Sequence, residues 1–263
     1  MYCILCMFGI TPINADNQLY QEKGEITVIN KKASVQMQGG ELKEDIDVNE
    51  LISQIGDKED AKISFAIFKF QEETIDGKNE LVPMTVSDVK AVRSVKKASK
   101  KVYNLTFSLT VSSSTSNGKR KVNTSTYMYW NPGIDFDHEH IVDSGTTDYA
   151  SISYPKPFKI NINNSNGGLS GNGATSKNLK DINSYAAVSS FKEQFGACYM
   201  KASSSYYKTV KKSRRFVAKY LHTWTKMQPS ISLGVGSEGG TVTFGMQGTD
   251  AMWQTALYVD YDC

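Results

Sequence analysis

The sequence predicts a mainly-β protein, an antiparallel β-sandwich-like single domain with long hairpins and one short N-terminal helix. Three observations predict it. Tyr103, Leu105, Phe107, Leu109 and Val111 alternate with Asn104, Thr106, Ser108 and Thr110, the period of a strand with one buried and one wet face. Asn117-Gly118 then supplies the left-handed backbone of a tight turn, and Lys121 to Trp130 returns as the second strand of the hairpin. A second alternation, Phe216, Ala218, Tyr220, His222 and Trp224, follows a basic turn and reads as the return strand of another long hairpin whose first strand is Gly196 to Val210.

Along the chain the elements are justified in turn. Residues 1–15, MYCILCMFGITPINA, form a short apolar run ending in Pro12 and Ala15, read as a signal-peptide remnant without its basic leader. The run is too short to span a bilayer. The competing assignment is a buried first strand. The domain then occupies 16–263, beginning with strands at Glu25 to Asn30 and Ala33 to Gln38.

Asp47 and Glu50 form a cap-like pair for a short helix whose Val48, Leu51, Ile52 and Ile55 share one face before Gly56. Ile63 to Phe70 is apolar on both faces and so reads as a central strand. Ser87 to Lys101 fits helix and strand equally. After the first hairpin come short strands at Asp148 to Tyr154 and Phe158 to Asn163, broken by Pro155 and Pro157. Residues 163–180, rich in Asn, Gly and Ser, read as a flexible loop. Ser184 to Phe195 is contested between helix and strand. Ser230 to Val235, a turn at Ser237 to Gly240, Thr241 to Met246 and Trp253 to Asp260 read as a closing meander.

Charge and cysteines bound the function. Thirty basic and twenty-seven acidic residues give +3, too little to imply nucleic acid. If the leader is cleaved, Cys3 and Cys6 leave with it, and Cys198 and Cys263 read as one disulfide of a secreted protein. Closing that loop of about 65 residues is worth roughly 4 kcal/mol in the chain-entropy picture.

Catalytic signatures are weak. No G-x-S-x-G or phosphate-cradling loop occurs, and Gly168-Leu169-Ser170-Gly171 sits inside the Asn/Gly/Ser-rich stretch. A Cys198–His222 nucleophile–base pair rests on no spacing, and a satisfied sheet histidine is the stronger reading. Between Asn131 and Asp148, Asp135, Asp137 and Glu139 share one face of an extended segment and His138 and His140 the other. Carboxylates suit calcium and histidines suit zinc, but a solvated acidic loop is favoured over either, so no cofactor is expected.

Basic residues, by contrast, gather at turns: Lys119, Arg120 and Lys121 at the first hairpin, Lys208, Lys211, Lys212, Arg214 and Arg215 at the second. A third cluster comprises Lys90, Arg93, Lys96, Lys97, Lys100 and Lys101. These point to a secreted, non-enzymatic binding protein whose basic tips contact an anionic cell-envelope polymer or membrane surface, without nucleic acid. The amphipathic hairpins allow a first alternative, a β-hairpin pore-forming protein that oligomerises, because apolar faces paired with Ser and Thr are what a membrane barrel requires. The second alternative is a metal-dependent hydrolase at 135–140.

Overall fold

A computed structural model describes residues 18–39, 48–53, 55, 60–75, 77–94, 102–131, 147–161, 178–192, 196–208, 212–223, 229–245 and 252–263. In chain order the elements are β1 (Gln21–Ile29), β2 (Lys32–Gln38), α1 (Val48–Ser53), β3 (Ala61–Ile75), β4 (Lys78–Pro83), α2 (Val86–Ser94), β5 (Val102–Ser116) and β6 (Lys119–Asn131). The second half holds β7 (Thr147–Ser153), β8 (Asn178–Ile182), β9 (Ala186–Lys192), β10 (Gly196–Ser203) and β11 (Tyr207–Lys208). It ends with β12 (Ser213–Thr223), β13 (Ser230–Val235), β14 (Gly240–Gly245) and β15 (Met252–Asp262). The chain is mainly β and its sheets are antiparallel.

The larger sheet has the order β10-β6-β5-β3-β1-β2, with β4 also on β3 and β11 on β6. The smaller runs β15-β12-β7-β9-β8, and β13 pairs with β14 apart from both. Alternation explains how the layers meet. Tyr103, Leu105, Phe107, Leu109 and Val111 are all fully buried and face Ile152, Phe216, Tyr220, Trp253 and Leu257 of the smaller sheet in one shared core. Each large side chain placed there removes apolar surface worth roughly 1.5–3 kcal/mol.

The opposite face of the larger sheet is covered as well. Ile26, Val28, Ile63, Phe65 and Tyr127 form a second cluster under Leu51 of α1 and Ile55. That is why Ser108 and Thr110, expected to be wet, are buried. On the outer side of the smaller sheet, Tyr149, Val188 and Leu221 pack against Val242 and Phe244 of the β13–β14 hairpin. This hairpin docks by close backbone approach: a Cβ on Gly239, whose φ is +144°, would lie 2.3 Å from the Tyr154 carbonyl oxygen.

The first hairpin is as the sequence predicts. β5 pairs with β6 from Asn104↔Asn131 to Ser116↔Lys119, and Asn117 and Gly118 take positive φ of 50° and 68°. The central position of 63–70 also holds, since β3 lies between β1 and β5. The short helix stands at Val48–Ser53. Of Ser87–Lys101, residues 95–101 lie outside the described residues, and the part up to Ser94 belongs to α2 (Val86–Ser94). Its start is a reciprocal cap, with Asp88 Oδ2 accepting from the Thr85 amide at 2.8 Å and Thr85 Oγ1 from the Asp88 amide at 3.2 Å.

Three expectations are corrected and one open assignment is resolved. The second long hairpin does not exist: β10 pairs with β6 in the larger sheet, whereas β12 lies between β15 and β7 in the smaller one. The described strands on either side of the basic segment, β11 and β12, therefore belong to different sheets. Ser184–Phe195 contributes strand β9, not helix, paired with β7 and β8. Around Phe158, Ile160 makes an isolated bridge to Ser204 in place of a strand, after a cis Lys156-Pro157 bond. The closing segments are not one meander, because β15 leaves the β13–β14 hairpin to pair with β12.

The leader at 1–15 and most of the 163–180 loop lie outside the described residues, although residues 178–180 begin β8. Among the described residues no helix is long and apolar enough to cross a membrane.

Candidate functional site

One end of the molecule collects the turns β1–β2 and β5–β6, the start of β3, the start of β12 and the end of β15. Antiparallel registers place them together: Val28 faces Ala61, Ala61 faces Ser112, and Ser213 faces Asp262. The two basic groups expected on separate hairpin tips converge here. Arg120 Nη1 donates to the Asp262 carbonyl at 2.6 Å, and Lys212 and Cys263 exchange backbone hydrogen bonds at 3.3 Å.

Each predicted cation has a distinct state. Lys119 and Lys212 are exposed, whereas Lys121 is half-buried with its ammonium 5.9 Å from the Tyr206 ring centroid. Arg120 is half-buried, and its Nε finds no partner among the described residues. Arg214 turns toward the end of the core and donates to the Lys156 carbonyl. Arg215 is bidentate on Asp260, with Nε to Oδ1 at 2.9 Å and Nη2 to Oδ2 at 2.8 Å. That bond raises the Arg215 pKa and holds the Asp260 carboxyl below its usual value against the opposing effect of burial. Arg215 is thus already neutralised. Lys211 lies outside the described residues, as do Asp135, Asp137, His138, Glu139 and His140.

Behind these residues is a cavity of about 460 Å³ bordered by Lys62, Arg120, Lys212, Asp60, Tyr261 and Cys263. Lys62 Nζ donates to the Asp260 carbonyl at 2.9 Å, just as Arg120 does two residues further along β15. A carbonyl acceptor leaves the charge of its cation uncancelled, unlike the carboxylate on Arg215. Asp60 and Asp262 border the same cavity, so its lining is of mixed charge. The positive excess lies on the rim, where exposed Lys31, Lys32 and Lys208 join Lys119 and Lys212.

Sequence reasoning missed Lys31, Lys32 and Lys62, but placed Lys208 in the second basic group. Lys31 had a signal, since Asn30-Lys31 is itself a turn with φ of 49° and 63°. Of the third cluster, Lys96, Lys97, Lys100 and Lys101 lie outside the described residues. Lys90 sits on α2 at the opposite end of β5, about 45 Å of extended chain away.

The Cys198–Cys263 disulfide is absent, and Cys263 is a free, buried thiol. Its position explains why. Cys198 faces Met128 on β6, whereas Cys263 lies against the Arg120 end of that strand, eight residues and about 26 Å away. A disulfide needs Cα atoms within about 7 Å. Burial pushes the Cys263 thiol up to about 11, with Arg214 and Arg120 pulling weakly the other way. A thiol so shifted is a packing group at neutral pH, not a nucleophile.

His222 is equally committed. Its Nδ1 lies 3.2 Å from Asp148 Oδ2 and its Nε2 2.9 Å from the Leu81 carbonyl oxygen, leaving no ring nitrogen for Cys198. Asp148 also accepts from the Tyr220 hydroxyl at 2.5 Å and the Thr223 amide at 2.9 Å, and all four residues are fully buried. Among the described residues there is no cluster of three or more metal-ligating side chains. No family model, no curated protein and no solved structure matches this chain.

Proposed function

We propose that this protein is an exported, non-enzymatic binding module that docks its basic end on an anionic cell-envelope polymer or membrane surface. The observation that carries this reading is the charge distribution: a chain of net charge +3 gathers Lys31, Lys32, Lys119, Lys208 and Lys212, all exposed, at one end. At the other end of the strands Glu72, Glu73, Glu80 and Asp88 are matched in number by Lys69, Lys78, Lys90 and Arg93, so the excess is confined to the turn end. Such a gradient orients a protein before contact and strengthens the contact once made. Tyr206, 46% exposed, and Ile29, 59% exposed, add apolar surface beside the lysines, a pairing that suits an interface between water and lipid headgroups.

The hairpin assigned to the pore-forming alternative is built into the middle of the larger sheet. β5 pairs along its length with β3, and β6 with β10. Releasing it would break both ladders, which favours a surface contact over insertion.

The test uses retention on immobilised anionic polymer and on vesicles with anionic or neutral headgroups. Each lysine near an acidic surface contributes on the order of 1 kcal/mol, so Lys119→Gln, Lys208→Gln and Lys212→Gln together weaken retention on the order of a hundredfold. Salt weakens it further. Whether polymer or vesicle retains the protein identifies the surface. Equal retention of the parent and the triple variant on both removes the proposal.

A further inference from the structure

β2 is an edge strand among the described residues, and its one charged residue, Lys32, stands at its turn end. Within Ala33–Gln38 there is no charge and no proline, and every residue of β2 except Met37 is exposed. Natural edges are normally blunted by such residues, by bulges or by a cover. Val35 is 47% exposed.

Hydrogen-bond alternation shows what the edge offers. Asn30 and Lys31 both take positive φ, so β1 and β2 are joined by a two-residue turn that makes Ile29↔Lys32 a hydrogen-bonded pair. Bonded and non-bonded pairs alternate along an antiparallel ladder. Thr27↔Ser34 and Glu25↔Gln36 are therefore bonded, while Ala33, Val35 and Met37 direct their N–H and C=O groups away from β1. No strand pairs with that side among the described residues.

The same three residues share the face of Ile26, and Met37 packs on its apolar cluster. That layer runs out to the edge of the sheet and stops there.

We propose that β2 is a self-association edge, on which two copies of this chain pair antiparallel about a two-fold axis at Val35. The segment is self-complementary in this register. Val35 bonds to the Val35 of the second copy and Ala33 to its Met37, so every outward backbone group finds a partner. Lys32 falls opposite an uncharged Gln38, so like charges do not meet directly across the new ladder. The Ile26 layer becomes continuous through the paired valines. A seven-residue edge buries far less than the roughly 1,600 Å² of a tight complex, so the dimer is weak and concentration-dependent.

Sedimentation measurements from about 5 µM to about 0.5 mM test this. The average mass of the 29.2 kDa chain should climb toward twice that value. Val35→Lys, which sets two ammonium groups on the axis, should weaken association at least tenfold while leaving the circular dichroism spectrum unchanged. A trapping experiment supplies an independent readout. Facing bonded residues have Cα atoms about 5.5 Å apart, within disulfide reach, so Val35→Cys should cross-link on mild oxidation faster than Ser34→Cys, which faces Gln36. A parent that stays monomeric throughout, a Val35→Lys variant that dimerises like the parent, or equal cross-linking of the two cysteine variants would overturn the proposal.

Discussion

His222 sits where neither solvent nor substrate reaches it. A carbonyl oxygen can only accept, so the Leu81 contact fixes a hydrogen on Nε2, and Nδ1 shares a hydrogen bond with the Asp148 carboxyl group. The hydrogen-bonded Asp148–His222 pair inside a core packed by Phe70 and Trp130 serves cohesion between the sheets, since Asp148 is on β7, His222 on β12 and Leu81 on β4. Removing one member of a buried hydrogen-bonded pair leaves its partner unsatisfied, at a cost of about 1–3 kcal/mol. Asp148→Asn should therefore lower the urea unfolding midpoint strongly. An unchanged midpoint would show that the pair contributes nothing to stability.

At the scale of elements, docking of the β13–β14 hairpin depends on glycine. Gly239→Ala adds a Cβ into the Tyr154 carbonyl and forces alanine into a φ that L residues rarely adopt. Overpacking of this kind costs typically 1–3 kcal/mol, and the predicted result is a lower melting temperature with faster amide exchange on β13 and β14. Exchange that matches the parent would mean the hairpin is held by Val242 and Phe244 alone.

The same scale explains what could be read beforehand. The β5–β6 hairpin was legible because strict alternation, Asn117-Gly118 and a second alternation coincide. Two signals were present but unread: Thr85-x-x-Asp88, which caps α2, and Asp76-Gly77 before β4. The partner of β12 was not legible. Alternation at Phe216, Ala218, Tyr220 and His222 gives the buried face correctly, yet a face does not say which of two sheets a strand joins. Whereas the false disulfide came from counting the two cysteines left after the leader, a count that carries no distance, that ambiguity produced the false hairpin. It also hid the candidate site, whose two basic groups meet only once β12 crosses to the smaller sheet beside β15.

For the whole molecule, the layers fix the direction of the charge gradient. Strands of both sheets end together at the basic turns, and the shared core holds Lys119, Lys208 and Lys212 in place relative to one another. The most direct measurement is a lysine acetylation footprint, read by mass spectrometry, in the presence and absence of the anionic polymer or vesicle that retains the protein. Protection confined to Lys31, Lys32, Lys119, Lys208 and Lys212, with Lys90 on α2 labelled equally in both states, is the predicted result. Protection of Lys90 with the turn lysines still fully reactive would contradict the account.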